Sequence, residues 1–239
     1  MTRKPTFSHA GIVVACVALS FGCVIAQENN RPVVKITAPQ GRSPLPLNTL
    51  IPFAISVSDK EEGESKFGEI NGQEVYLTVR YLSDPLQATA ALSTAGDPDP
   101  PGFVILQKSN CISCHAFNAP LIGPSFAELT RRYPYSKTNE TLLAKRILNG
   151  SSGIWGSTAM PGHPELTPEA AQLIMAWILQ NTGDVKTKYY SGLEGTLRLI
   201  IPEGERPGGI FILRASYTDH GLNNQKAMQG TDALLVHGK

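Results

Sequence analysis

The hydrophobic pattern changes its period twice along this chain of 239 residues. Apolar residues alternate with polar ones, or cluster as β-branched runs, in three N-terminal and three C-terminal segments, which is typical of strands. These segments are 33–37, 50–58, 74–82, 196–201, 210–217 and 233–237. Between them, apolar residues recur at helical spacing in 139–149 and 167–180, and a short helix is predicted at 102–108. The chain is therefore predicted to place a helical segment between two groups of strands.

Three strands on either side are too few for a stable sandwich, whereas all of them together match the size of an immunoglobulin-like domain. We therefore predict a two-domain protein, with an all-α domain of short helices at 97–184 inserted into an all-β sandwich built from 32–95 and 186–239. The stretch 83–101 is rich in Ser, Ala, Asp and Pro and is predicted to be a linker. The alternative is two unrelated β pieces that flank a central domain.

The overall composition excludes several classes of protein. Hydrophobic residues make up 41% and charged residues 17% of the chain, as in ordinary globular proteins, so neither a disordered nor a fibrous chain is expected. The formal net charge is +1, from 21 basic and 20 acidic side chains. Because no basic excess is available to bind a phosphate backbone, nucleic acid is not an expected partner.

The N-terminus has the pattern of an export signal. Two basic residues precede an apolar run at 11–26, which is shorter than the roughly 20 residues that span a bilayer. A signal peptide at 1–26 is predicted, with cleavage after Ala26. A lipobox that makes Cys23 a lipidated N-terminus is the second interpretation, and an uncleaved membrane anchor is the third. In each case the remainder is exported, which predicts a periplasmic protein. In the second interpretation, a lipid on Cys23 anchors it to the membrane.

The sequence Cys111-Ile112-Ser113-Cys114-His115 carries the chemistry. Two thiols at this spacing can add across the two vinyl groups of a haem, and the adjacent imidazole then lies on one face of the iron. A thioredoxin-like redox pair would prefer a strand-to-helix setting, and a zinc site would need two further Cys or His ligands at short spacing. The motif therefore predicts one covalent haem c, bound through Cys111 and Cys114, with His115 as an axial ligand of the iron.

The second axial ligand must come from elsewhere in the chain. Outside the predicted signal peptide the methionines are Met160, Met175 and Met228. Met160 lies in a loop at 155–161 that is rich in Gly, Ser and Pro, whereas Met175 falls in a predicted helix and Met228 in the β part. Met160 is therefore predicted to bind the iron. His163 is the competing ligand, and its alternative interpretation is a solvent-exposed loop histidine.

Residues 102–181 resemble a class I cytochrome c of the small bacterial monohaem type. The resemblance depends on the C-x-x-C-H motif, the Met160-Pro161 loop and a C-terminal amphipathic helix that carries an aromatic residue. It implies that Met160 is the distal ligand. It also implies that the Gly123-Pro124 pair supplies a carbonyl to Nδ1 of His115.

The resemblance further implies two structural features around the haem. Trp155 is expected in the haem pocket with Pro124, next to a haem propionate, with simple packing in the pocket wall as the alternative role for Trp155. The first and last helices of the domain are expected to cross. The first helix follows the sequence Asp-Pro-Asp-Pro-Pro and is short, which departs from the family and leaves open which residues meet at the crossing.

The flanking segments resemble PKD or immunoglobulin-like modules, on the runs 34–39, 55–59 and 212–219. Such modules occur fused to cytochromes and to secreted sugar dehydrogenases, which suggests that the β domain docks the haem domain to a partner. A turn in the first β segment could also hold Ca²⁺, with a solvated acidic turn as the alternative. Its acidic residues are Asp59, Glu61, Glu62 and Glu64.

The predicted ligation determines the expected function. With His115 and Met160 on the iron, no position is open for a substrate, so we expect an electron carrier with no catalytic residues. It would accept electrons from a periplasmic dehydrogenase, donate them to an oxidase or exchange them with another cytochrome. The alternative is a haem enzyme, or a gas or redox sensor, in which Met160 is a labile ligand.

Overall fold

The computed structural model describes residue 1, residues 28–40 and residues 44–239. Apart from residue 1, the predicted signal peptide lies outside the described residues, as do Ala26 at its cleavage site and the lipid site at Cys23. Within the described ranges, the helices are too short or too polar to cross a membrane.

Along these residues, strands form the two ends of the chain and helices form the middle. The strands are β1 (Val33–Ala38), β2 (Ile51–Asp59), β3 (Gly63–Glu64), β4 (Tyr76–Leu82), β5 (Thr187–Ser191), β6 (Glu194–Leu197), β7 (Ile210–Thr218) and β8 (Gln229–His237). The α-helices are α1 (Ala88–Ser93), α2 (Pro101–Lys108), α3 (Phe126–Arg132), α4 (Lys137–Asn149) and α5 (Pro168–Asn181). Single turns of 3-10 helix at Gly72–Glu74 and Cys111–Ser113 also contribute to the site described below.

Strands that precede and follow the helices share two antiparallel sheets. In the first sheet β2 pairs with β1, β3 and β6. The second sheet has the order β5-β4-β7-β8, so β4 is hydrogen-bonded between two strands that come after the helical segment. Val79 of β4, for example, lies opposite Lys188 on one side and Leu213 on the other.

Alternation along β2 decides where the β core lies. Ile51, Phe53, Ile55 and Val57 are buried, while the residues between them are exposed or half-buried. They belong to one apolar cluster with buried residues of β4 and β7, so the two sheets enclose a common core. Strand β7 is buried on both faces, because its second face packs against α1.

The stretch predicted as a linker is instead packed against β7. It contains α1, and Ala88 is buried against Ile210. Nearer α2, the Arg214 guanidinium pairs with Asp99 at 2.6 Å and donates from Nε to the Ala95 carbonyl at 2.7 Å. The linker prediction was wrong because the packing of this stretch depends on Arg214, which lies far away in the sequence and binds polar groups of the stretch.

Strand boundaries after the helices also differ from the prediction. The strand predicted at 196–201 begins earlier, as β6, and ends at Leu197, because its partner strand starts opposite at Ile51. A Cβ on Gly195 would lie 2.8 Å from Phe53 Cε1, so this glycine allows the close pairing. Strand β5 was not predicted, and β8 starts four residues before 233–237.

Helices α2 and α5 cross, as the resemblance implied. A side chain on Gly102 would overlap the Leu173 carbonyl oxygen, so the two backbones meet at this glycine. Phe103 stacks on Trp177, with ring centroids 4.2 Å apart and an interplanar angle of 11°. Thr167 caps the N-terminus of helix α5, and its hydroxyl accepts from the Ala170 amide at 3.2 Å.

Two tyrosines of the second sheet enter the aromatic core of the helical part. Tyr76 of β4 lies edge-on to Phe103 at 5.1 Å, and Tyr189 of β5 stacks on Phe117 at 5.1 Å. On β4, Tyr76 points away from the β core, whose members from this strand are at odd-numbered positions. The β part and the helical part therefore share one packed interface.

Candidate haem site

The C-x-x-C-H motif forms a tight turn directly after α2. Asn110, two residues after the end of α2, adopts a left-handed conformation with φ of 55° and precedes the 3-10 turn at Cys111–Ser113. The amides of Cys114 and His115 then donate to the Cys111 carbonyl at 3.2 and 3.0 Å. Both cysteines are free thiols and half-buried. The turn thus brings the two thiols and the imidazole together on a short stretch of backbone.

The ring of His115 is held by the segment that follows it. Its Nδ1 lies 2.7 Å from the Pro124 carbonyl oxygen, and the ring stacks on Phe126. The Gly123 amide donates to the Cys114 carbonyl at 2.9 Å, which closes this loop. Any Cβ on Gly123 would lie 2.5 Å from His115 Cε1, so only glycine allows the approach. A neutral ring that donates from Nδ1 keeps the Nε2 lone pair for a metal.

The loop that carries Met160 is fastened to the end of α4. Ser151 and Met160 exchange both backbone hydrogen bonds, at 3.0 and 2.8 Å. Gly150 has a φ of 79°, and a Cβ there would lie 2.8 Å from the Met160 carbonyl oxygen. Similarly, a Cβ on Gly162 would lie 2.6 Å from the Leu148 carbonyl oxygen. These contacts fix the backbone of Met160, and its half-buried side chain packs against the helical core.

His163, the competing ligand, contacts a neighbouring carboxylate through one of its ring nitrogens. Its Nδ1 lies 2.7 Å from Glu165 Oε1, and its side chain is only 22% exposed. Its backbone amide donates to the Ile147 carbonyl at 2.9 Å. His163 is therefore a partly buried residue in contact with a carboxylate, which differs from the solvent-exposed histidine of the alternative interpretation.

Trp155 lies at the exposed side of the same loop, where 39% of its surface is accessible. The Arg132 guanidinium lies over its ring at 4.6 Å and donates to the Ile154 carbonyl at 3.0 Å. Sequence reasoning missed Arg132, because nothing in the local pattern links the end of α3 to this loop. The signal for α3 itself was present, since Ser125 and Glu128 form a capping box.

The donor set and its surroundings fit a haem better than the two alternatives. Burial raises the pKa of the Cys111 thiol to about 11, whereas a reactive redox pair needs a lowered thiol pKa. Among the described residues, no three His, Cys, Asp or Glu side chains are grouped to hold a metal ion, so zinc has no site there. Half-buried apolar side chains border the helical core, as a flat apolar group requires. They include Ile105, Ile112, Leu129, Leu148 and Leu166.

Hydrogen bonds organise the acidic turn. Asp59 Oδ1 accepts from the amides of Glu61 and Glu62, at 2.8 Å each. Glu62 also faces His220, whose Nδ1 lies 2.9 Å away, and accepts from the Tyr217 hydroxyl. Since the described residues contain no cluster of three metal-binding groups, the structure lends no support to calcium binding here.

Comparison with known proteins places the helical segment in one family. Residues 101–182 match the family model Cytochrome c. Cytochrome c-551 of Pseudomonas aeruginosa is 32% identical over 103 residues, which are 41% of this chain and 94% of that protein. Cytochrome c-552 of Nitrosomonas europaea is 33% identical over 96 residues, 38% of this chain and 88% of that protein. A crystal structure of Nitrosomonas europaea cytochrome c552 aligns with 32% of this chain and 94% of its own, at 33% identity and a TM-score of 0.31.

The matches extend over nearly the whole of these small relatives, and not over an isolated motif. Cytochromes c-551 and c-552 bind one covalently attached haem c, which agrees with the prediction from the motif. Through its helical segment, this chain belongs to the cytochrome c family.

Proposed function

We propose that this protein is an exported one-electron carrier, with haem c bound through Cys111 and Cys114 and ligated by His115 and Met160. One observation carries the proposal, namely the 2.7 Å contact between His115 Nδ1 and the Pro124 carbonyl oxygen at the C-x-x-C-H turn. When bound, the haem supplies reversible exchange of one electron between ferric and ferrous iron. The related cytochromes c-551 and c-552 are small electron carriers, which supports the same role here.

The cysteines and His115 attach and orient the group. Each thiol of Cys111 and Cys114 would add its S–H bond across one vinyl double bond, with sulfur to one carbon and hydrogen to the other, so no electrons would be gained or lost. Pro124 accepts from Nδ1 of His115, which fixes the ring and raises the basicity of Nε2. Gly123 permits the close approach of this loop to the ring.

Met160 would hold the iron of the bound haem and would leave no open position for a substrate. Its backbone pairing with Ser151 keeps the side chain at one end of the site. A thioether ligand in an apolar pocket stabilises ferrous iron, and a permanently filled position favours electron transfer over catalysis. Trp155 and Arg132 complete the pocket with Pro124, and the Arg132 charge is suited to a haem carboxylate.

The β part is proposed to be an immunoglobulin-like sandwich of 32–95 and 186–239, into which the haem domain at 97–184 is inserted. The pairing of β4 between β5 and β7 supports this arrangement. We further propose that the sandwich docks the haem domain to a redox partner, namely a dehydrogenase, an oxidase or another cytochrome. The aromatic interface around Tyr76 and Tyr189 supports docking, because it would hold the haem domain in one orientation.

Export is proposed to follow from the signal peptide at 1–26, and membrane attachment would require a lipid on Cys23. This gives a periplasmic carrier, in agreement with covalent haem attachment outside the cytoplasm.

Mass spectrometry and redox titration of the protein matured with haem test this function together. We expect the mass of one haem on the intact chain, loss of that mass when both Cys111 and Cys114 are replaced by Ala, and a titration curve for a single electron. A Ser113→Ala variant, which keeps both thiols, serves as the control and should retain the haem. Absence of covalent haem from the wild-type protein would overturn the proposal.

A further inference from the structure

Tyr76 carries a buried hydroxyl that has no hydrogen-bond partner in the described part of the chain. The residue is fully buried, and its hydroxyl oxygen makes no hydrogen bond to any described residue. Its ring is packed between Phe103 and Phe117, at centroid distances of 5.1 and 6.0 Å. A buried hydroxyl without a partner destabilises a folded protein, so its retention here calls for a role.

The surroundings of this hydroxyl include the haem attachment turn. Cys111 packs against the same apolar cluster as Tyr76, and the 3-10 turn just before β4 touches the motif, with Ser113 Oγ 3.3 Å from Gln73 Oε1. Burial raises the pKa of Tyr76, and the neighbouring Cys111 and Glu74 raise it further. Tyr76 is thus a buried donor, contributed by the β part, in the apolar cluster against which the first cysteine of the motif packs.

Attachment of a haem changes what Cys111 offers to its neighbours. In this structure the Cys111 thiol donates to the Ser109 carbonyl at 3.7 Å. A sulfur joined to haem has no hydrogen, so it can no longer donate and can only accept. The unpaired hydroxyl of Tyr76 could then donate a hydrogen bond to the attached sulfur.

We propose that Tyr76 is a positioning residue for the haem, whose hydroxyl donates to the Cys111 sulfur once that sulfur is attached and so raises the midpoint potential. The inference rests on the haem attachment proposed above. A hydrogen bond to the sulfur withdraws electron density from the edge of the group and stabilises the ferrous state. The relatives align with the haem segment, so this control by a strand of the β part is a property of the whole chain.

The test compares Tyr76→Phe with Tyr189→Phe in the haem-loaded protein. Both changes remove one hydroxyl from the same aromatic cluster, but Tyr189 is only partly buried. We expect Tyr76→Phe to lower the midpoint potential and Tyr189→Phe to leave it at the wild-type value. Tyr76→Phe should lower the free energy of unfolding, measured with denaturant, more in the ferrous than in the ferric protein. Difluorotyrosine at position 76, a stronger donor of nearly the same shape, should shift the potential upwards.

Each other outcome overturns the inference. If Tyr76→Phe keeps the wild-type potential, the hydroxyl does not act on the haem. If it lowers stability equally in both oxidation states, the hydroxyl serves a structural partner such as Glu74 through a water. Covalent haem is checked first by mass. Its absence would overturn the proposed function and this inference together, whereas unchanged potentials with haem in place overturn this inference alone.

Discussion

The glycine at position 123 leaves room for the ring of His115 and for no additional side chain. Because a Cβ there would lie 2.5 Å from His115 Cε1, Gly123→Ala must push the ring or the loop aside. We expect the haem-loaded variant to lose about 1–3 kcal/mol in its free energy of unfolding, measured with denaturant. Gly96→Ala is the matched control, since nothing lies within 4 Å of a Cβ at that position. Equal stability of the two variants would contradict the account of this loop.

The acidic turn gives a pH dependence at the scale of one side chain. Although burial alone would raise the pKa of Glu62, hydrogen bonds from Tyr217 and His220 lower it below the ordinary value of 4.5. A carboxylate with a lowered folded pKa stabilises the protein at neutral pH, and that stability is lost as the pH falls through the folded pKa.

The free energy of unfolding of the Glu62→Gln variant should therefore fall less than that of the wild type as the pH drops from neutral to below 4.5. The measurement is the free energy of unfolding at several pH values. Glu203→Gln, an exposed carboxylate exchanged in the same way, should follow the wild-type curve. A Glu62→Gln curve parallel to wild type would mean that these hydrogen bonds do not stabilise the fold.

Local chemistry made part of the site predictable at this scale. The spacing of Cys111, Cys114 and His115 indicated a haem without any structural information, because the reaction itself requires that spacing. The roles of Met160 and Trp155 stay predictions. Arg132 on the Trp155 ring was not foreseeable, since the contact joins two segments more than 20 residues apart in the chain.

Between elements, the crossing of α2 and α5 depends on Gly102. An added Cβ would overlap the Leu173 carbonyl oxygen, which belongs to backbone and cannot move aside as a side chain would. Gly102→Ala should therefore destabilise the protein by about 1–3 kcal/mol or more and weaken the Phe103–Trp177 stack. Thermal unfolding, with tryptophan fluorescence as the probe, measures both effects. An unchanged midpoint would show that the helices can separate at no cost.

The strength of the hydrophobic pattern decided which elements were predictable. Strand β2 alternates clearly and was predicted within one residue at each end. Helix α1 escaped prediction because only Ala88 is buried, so it lacks an apolar face of its own. Strand β5 escaped because its residues are polar or aromatic and its Tyr189 packs on the helices rather than in the β core.

For the whole molecule, the pairing of strands across the helical segment predicts a specific behaviour under proteolysis. If a protease excises the haem segment, the two β pieces should stay associated, because β4 is hydrogen-bonded to β5 and β7. Size-exclusion chromatography of the digest, with mass analysis of each peak, measures this. Separate elution of the two pieces without denaturant would favour the alternative of two unrelated β segments.

The order of strands along the chain indicated that both flanks belong together, but not how they meet the haem segment. Entry of Tyr76 and Tyr189 into the helical core depends on which face of β4 and β5 meets the helices, and that face is chosen by long-range packing. The local sequence pattern therefore cannot predict which face of these strands meets the helices. As a result, the linker prediction for 83–101 failed at the same junction.

The visible spectrum of the haem-loaded protein, recorded oxidised and reduced with and without CO, tests the central claim most directly. Because Met160 and His115 are proposed to fill both axial positions, the wild type should be low-spin and show the weak red band of a methionine sulfur on ferric iron. Its spectrum should not change when CO is added. Met160→Ala should become high-spin and bind CO, whereas Met175→Leu and His163→Ala should behave as wild type. Ready CO binding by the wild-type protein, or a Met160→Ala spectrum identical to it, would contradict the account.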